Sequence, residues 1–300
     1  YGFMLDENGM VMDDGVTARL GKNHYLMHTT TSGAANVMAW MERWLQTEWP
    51  DLKVYLTSVT DHWATVSLNG PRSRNVLARL CSDVDLSNDE FPFLSVRTGT
   101  VAGVPARIFR ISFGGELSYE INVNANYGRA VWEAAMDAGQ GVGIAPYGTE
   151  AMHLLRAEKG YVIVGQDSDG SMTPADLGFG GMVSGRKDFL GKRSLSREYT
   201  ARTDRKQLVG LLTEDPSTVL PEGGQIVEED ATGVPMPMLG HVTSSYRSAK
   251  LGRSIALAML KDGHRRTGDA VYVPLADGRR VKAHVTDTVF YDPKGERQNV

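Results

Sequence analysis

Hydrophobic and polar positions along this chain follow two textures. Over residues 1–195, short alternating stretches are interleaved with helical ones. From Lys206 the pattern changes to short strands separated by turns. Phe3-Met4-Leu5 and Met10-Val11-Met12 flank Asn8-Gly9, a pair that tolerates positive φ, so a hairpin is predicted whose second strand runs into Asp13-Asp14. Val16–Leu20 and Tyr25–Thr30 read as strands around Gly21-Lys22-Asn23. Val37, Met38, Met41, Trp44 and Leu45 recur at helical spacing, with Thr31 or Ser32 as cap and Trp40 and Trp44 as packing residues. Pro50 closes that helix. Strands are then predicted at Lys53–Val59, Trp63–Leu68, Val96–Val101, Ala106–Ser112 and Leu117–Val123, and helices at Arg72–Leu80, Arg129–Ala138 and from Thr149 onward.

This alternation has no regular βαβ rhythm, which predicts an α+β fold of antiparallel sheets with packed helices. Asp167–Gly185, rich in Gly, Ser, Asp and Pro, reads as a long ordered loop, and charge-dense Arg186–Arg205 as a linker. Leu208–Leu212, Gln225–Glu228, Gly240–Ser244, Ile255–Met259, Ala270–Val273 and Val281–Val285 are spaced as a small β-barrel. The expected domains are therefore 1–195 and 206–300.

Composition narrows the function classes. With 23% charged and 41% hydrophobic residues the chain is an ordinary globular one, and its net charge of −4 gives no support for a nucleic-acid or anionic-membrane partner. The single cysteine excludes an intrachain disulfide, a zinc ribbon or a cysteine-ligated iron–sulfur cluster within the chain. The histidines show no paired metal spacing, and no metal site is expected. No long uncharged apolar run or signal-peptide pattern is present, so a cytoplasmic location without membrane contact is expected. Gly139–Gly143 and Gly178–Gly181 do not complete a dinucleotide fingerprint, and neither a P-loop nor a nucleophile elbow occurs.

Candidate chemistry starts at Asp13 and Asp14. Successive strand residues face opposite sides, so one carboxylate should point inward, where a neighbouring acid raises its pKa toward the range useful for proton transfer. The stretch Tyr1-Gly-Phe-Met-Leu-Asp-Glu-Asn-Gly-Met-Val-Met-Asp-Asp-Gly resembles the folate-binding aminomethyltransferase family. That family includes the glycine-cleavage T-protein and the folate domains fused to sarcosine and dimethylglycine oxidising enzymes. Gly115-Glu116-Leu117-Ser118-Tyr119-Glu120 and Leu155-Arg156-Ala157-Glu158-Lys159-Gly160 match two further motifs of the family, in the same order. The run Arg156-Ala-Glu-Lys-Gly-Tyr-Val-Ile-Val-Gly-Gln-Asp resembles the sarcosine oxidase alpha subunit branch.

The resemblance implies tetrahydrofolate as cofactor, Asp13 as the carboxylate assisting one-carbon transfer, and Glu116 at the amide-and-amine edge of the pterin. Phe113 would stack where relatives often have Tyr. Tyr1, Thr29 and Thr30 would line the pocket, and Arg156 would buttress it through a buried ion pair. Met152 stands where glycine-cleavage members carry an arginine for the folate tail. The implied activity is capture of the methyl-derived carbon of oxidised sarcosine as 5,10-methylenetetrahydrofolate. FAD, FMN and NAD, a flavin-bearing subunit and smaller subunits are implied only for the complete enzyme. The resemblance also implies a folate domain starting upstream of Tyr1. A glycine-cleavage type aminomethyltransferase and a non-catalytic scaffold for a flavin subunit are the alternatives.

Overall fold

The computed structural model describes residues 1–300. The first elements are β1 (Gly2–Leu5), β2 (Val11–Gly15), β3 (Thr17–Gly21), β4 (His24–Met27) and α1 (Ala34–Thr47). Then follow β5 (Trp63–Asn69), α2 (Ser73–Leu80), β6 (Ser95–Val101), β7 (Val104–Arg110), β8 (Ser118–Asn124), α3 (Gly128–Gly139) and α4 (Thr149–Glu158). The last third holds α5 (Glu198–Ala201), β9 (Lys206–Thr213), β10 (Gln225–Ile226), β11 (Gly240–Ser248), β12 (Arg253–Lys261), β13 (Ala270–Pro274) and β14 (Arg280–Thr286). The antiparallel α+β architecture with a C-terminal barrel is as the pattern implies.

The chain forms two compact units, both discontinuous in sequence. One comprises Tyr1, Gly15–Met152 and Lys294–Val300; the other comprises Gly2–Asp14 and His153–Pro293. The expected 1–195 and 206–300, by contrast, are continuous segments.

In the first unit a four-stranded antiparallel sheet has the order β5-β8-β7-β6. Alternation along the strands makes two unlike faces. Val66, Leu68, Ala106, Ile108, Tyr119, Ile121 and Val123 enter a core with Val76 and Leu77 of α2 and Val131 of α3. On the opposite face, Phe109, Ile111 and Val96 are covered by Val16, Ala18, Leu20 and Leu26 of the β3–β4 hairpin. The β5–β8 half of that face carries Thr65, Ser67, Ser118, Glu120 and Asn122.

Two local expectations are corrected here. Lys53–Val59 forms no strand: it has no ladder partner, and Leu52, Val54 and Tyr55 are exposed. A β pattern alone cannot make a strand without a neighbour to accept its hydrogen bonds. Neither Thr31 nor Ser32 caps α1; the hydroxyl of Thr30 accepts from the Gly33 amide instead, at 3.1 Å. Residues 294–300 belong with the first unit, where buried Arg110 donates to the carbonyl oxygens of Phe91 and Gln298 and the Leu117 amide donates to Arg297 O.

In the second unit six antiparallel strands run β10-β11-β12-β9-β14-β13. Val227 and Tyr272 exchange backbone hydrogen bonds of 2.9 and 3.0 Å, which brings the two edge strands together as a barrel. Val209, Leu211, Ala256, Ala258 and Leu260 fill the interior. Leu208, Ile255, Leu257 and Met259 face outward and pack with Leu5, Val11, Ala157, Val162 and Leu177. The β1–β2 hairpin turns at Gly9 with φ +83°, where a Cβ would meet the Leu195 side chain at 2.8 Å. The segment expected to be a linker is anchored, because buried Arg205 at its end pairs with Asp176.

Candidate functional site

The β5–β8 half of this sheet face is chemically unusual, because it sets buried Ser118 and Asn122 and part-buried Glu120 beside exposed Thr65 and Ser67. Register places Thr65, Asn122 and Arg107 in one row across β5, β8 and β7, and Ser67, Glu120 and Phe109 in the next. The Thr65 hydroxyl donates to Asn122 Oδ1 at 2.7 Å, which fixes the amide. Glu120 is largely buried beside them, yet its carboxylate makes no hydrogen bond and no ion pair. Burial pushes its pKa above the usual carboxylate range. His28, just past β4, lies against Phe109 with ring centroids 4.8 Å apart. Burial, and then the Arg107 charge, hold its pKa below the ordinary imidazole value.

Arg107 completes the face. Its guanidinium lies 4.2 Å over the Trp63 ring and meets no carboxylate. Desolvation lowers its pKa from the usual range. A desolvated, unpaired acid and a desolvated, unpaired base on one sheet face are each costly without a partner. Such a face can offer an acceptor to a donor-rich edge and a cation to an anion.

Glu116 stands differently. It forms a two-point ion pair with Arg297, its oxygens 3.1 Å from Nε and one of them 3.0 Å from a terminal nitrogen. Thr29 donates to the Thr30 carbonyl at 2.8 Å, so these residues begin the turn into α1. Gly15 approaches here: a Cβ on it would lie 1.8 Å from the His28 carbonyl oxygen. Any side chain is excluded there, and the backbone before Thr29 is held close to the end of β2. Phe113 is part-buried and Tyr1 is 45% exposed.

In the second unit Asp13 is the inward member of its pair, 2% exposed, and its Oδ1 accepts from the Asp14 amide at 2.8 Å. Arg156 has no exposed surface. It pairs with Asp167 and donates to the Tyr161 carbonyl and to Ser244 Oγ. Asp167 also accepts from Thr243, Ser244 and the Ile163 amide. The structure thus brings Thr29, Thr30, Phe113, Glu116 and Tyr1 into one compact unit, and Asp13 and Arg156 into the other.

Comparison with known proteins decides the family. Residues 1–187 match the model of the GCVT N-terminal domain, and 206–292 match the glycine cleavage T-protein C-terminal barrel domain. The chain belongs to the glycine-cleavage T-protein family. An aminomethyltransferase of Thermotoga neapolitana is 30% identical over 297 residues, covering 97% of this chain and 75% of that protein. The sarcosine oxidase alpha subunits of Corynebacterium sp. (strain U-96) and Rhizobium meliloti are 52% and 42% identical, each over 100% of this chain. The chain spans about a third of those relatives, 31% of each. The crystal structure of aminomethyltransferase T from Bartonella henselae superposes with a TM-score of 0.82 at 20% identity, covering 97% of this chain and 75% of that one, and shares the fold.

Reading the T-protein motif from sequence singled out Glu116 and passed over Glu120, Arg107 and His28. A signal was present for Glu120. In Ser118-Tyr-Glu-Ile-Asn-Val-Asn the polar residues fall on alternate positions, so they share the face away from the core. Nothing local marks Arg107 as unpaired, because that depends on what lies across two neighbouring strands.

Proposed function

We propose that this T-protein family chain binds tetrahydrofolate and receives on it the methyl-derived carbon of oxidised sarcosine, giving 5,10-methylenetetrahydrofolate. The observation that carries the reading is Glu120. A carboxylate held out of water without a partner suits the paired amide and amine donors on one edge of a pterin. Ser67 and the Thr65–Asn122 pair are the neutral polar neighbours. Phe113, Thr29, Thr30 and Tyr1 are proposed as further lining residues. Glu116, already neutralised by Arg297, is proposed to shape the wall and to contribute less to affinity.

Tetrahydrofolate supplies two nucleophilic nitrogens for the incoming carbon. Asp13 is the proposed functional carboxylate, taking up a proton from a tetrahydrofolate nitrogen as the C–N bonds form, while the oxygen of formaldehyde leaves as water or the nitrogen of an iminium leaves as the amine. Arg156 is a proposed positioning residue, holding the turn after α4 through Asp167 and the Tyr161 carbonyl. The carbon would arrive as formaldehyde or an iminium from flavin oxidation in a partner subunit. Similarity to the sarcosine oxidase alpha subunits supports that source over direct transfer of an aminomethyl group. FAD, FMN and NAD are proposed only for the complete assembly.

Calorimetric titration with tetrahydrofolate tests the reading. The wild-type protein is expected to bind, Glu120→Gln to lose roughly tenfold or more in affinity, and Glu116→Gln to lose less. Asp13→Asn is expected to bind but to fail in methylene capture by the assembled enzyme. Absence of binding by the full-length wild type overturns the proposal and leaves the scaffold alternative.

A further inference from the structure

The unpaired cation on the Glu120 face has no role in the reading above. Arg107 and Glu120 are diagonal neighbours on adjacent strands, about 7–8 Å apart at the backbone and within reach of an arginine side chain. They do not pair. The Arg107 guanidinium reaches instead across β8 to the Trp63 ring, its Cζ 4.2 Å from the ring centroid. Trp63 is in register with Asn124, four residues along β8 from Glu120, a separation of roughly 13 Å. The floor between them is the neutral Thr65–Asn122 pair.

We infer that Arg107, braced on Trp63, anchors the carboxylate of the folate tail in this protein; the inference rests on the proposed folate reading. A span of this length suits a ligand whose donor edge and anionic end are separated by an aromatic linker. It excludes a compact zwitterion such as an amino acid, whose charges lie too close together to meet Glu120 and Arg107 at once. No hydrogen bond or ion pair occupies the guanidinium over the ring, so its fork of N–H donors can take a carboxylate through two parallel bonds. Met152 of α4 can supply no such charge.

The test compares tetrahydrofolate with 6-methyltetrahydropterin, which has the same donor edge and no aryl-glutamate tail. Calorimetry is run on the full-length wild type and on Arg107→Met, Arg107→Gln and Trp63→Leu. Arg107→Met and Arg107→Gln are expected to weaken tetrahydrofolate roughly tenfold to a hundredfold and to leave 6-methyltetrahydropterin unchanged. Trp63→Leu should produce a smaller loss with the same selectivity. Added salt should weaken tetrahydrofolate in the wild type more than in Arg107→Met. Unchanged thermal midpoints establish that the variants are folded. Equal loss of both ligands, or loss of neither, overturns the role of Arg107. Failure of the wild type to bind either ligand overturns the folate reading itself, a result separate from the other two.

Discussion

Two clusters of charge in this molecule have opposite character. In the second unit Arg156 and Asp167 are fully buried, and around them Tyr161, Ile163, Gln166, Thr243 and Ser244 form a hydrogen-bonded network that leaves the Arg156 Nε without a partner. In the first unit Glu120 and Arg107 share a sheet face within reach of each other, yet neither is paired. A network of paired charges holds backbone segments that are far apart in sequence, and its loss is felt as instability. An unpaired acid and cation cost stability and leave their interactions available to a ligand. Motif position alone does not separate these roles, since Arg156 and Glu116 both come from family motifs and both have partners within their own unit.

The largest effect that would sharpen the contrast is on folding. Asp167→Ala should leave a buried guanidinium without its counter-charge and cost about 3–5 kcal/mol, read by urea denaturation. A loss below about 1 kcal/mol would show that the network is not what secures this unit. Arg205→Met should come next, at about 2–4 kcal/mol, because it strands Asp176, which accepts from Arg205 and from Thr173.

Glu120→Gln should behave in the opposite sense. Its stability change is expected to be neutral or favourable, on the order of 1 kcal/mol, while folate affinity falls. The sign follows from the raised folded-state pKa. Below the ordinary glutamate value of 4.5, both states hold the proton and variant and wild type should match. As pH rises through the elevated native pKa the wild type loses stability relative to Glu120→Gln. Denaturation series across that window read the divergence. His28 and Arg107 face the same region. His28 is held neutral toward lower pH and Arg107 stays charged, so neither reverses the trend.

The smallest effect is expected at Glu116. Its pair with Arg297 is partly open to solvent, so Glu116→Gln should change stability by less than about 1 kcal/mol. A large affinity loss there, with Glu120→Gln unaffected, would transfer the pterin edge back to Glu116 and break the comparison.

Much of the architecture was legible before the fold was known. The Asn8-Gly9 hairpin needs only a residue pair that tolerates positive φ between apolar strands. The barrel strands announce themselves by their spacing. The inward turn of Asp13 follows from two-residue alternation once its strand is placed. Lys53–Val59 has a strand pattern and forms no strand for an equally physical reason: strand character is completed by a partner, and no local pattern reports whether one exists. The site was read at Glu116 because the motif is contiguous, whereas its neutralisation by Arg297 comes from 181 residues away.

By itself, then, the sequence determined the elements that depend on neighbours a few residues apart, the division of textures near Lys206, and the T-protein family. Tertiary structure alone decided which charges are paired. Pairing depends on desolvation and on groups brought together by strand register and by the returning 294–300 segment, and neither is encoded in any local period. For this chain that difference separates Arg156, which holds the fold, from Glu120 and Arg107, which the fold leaves waiting for a ligand.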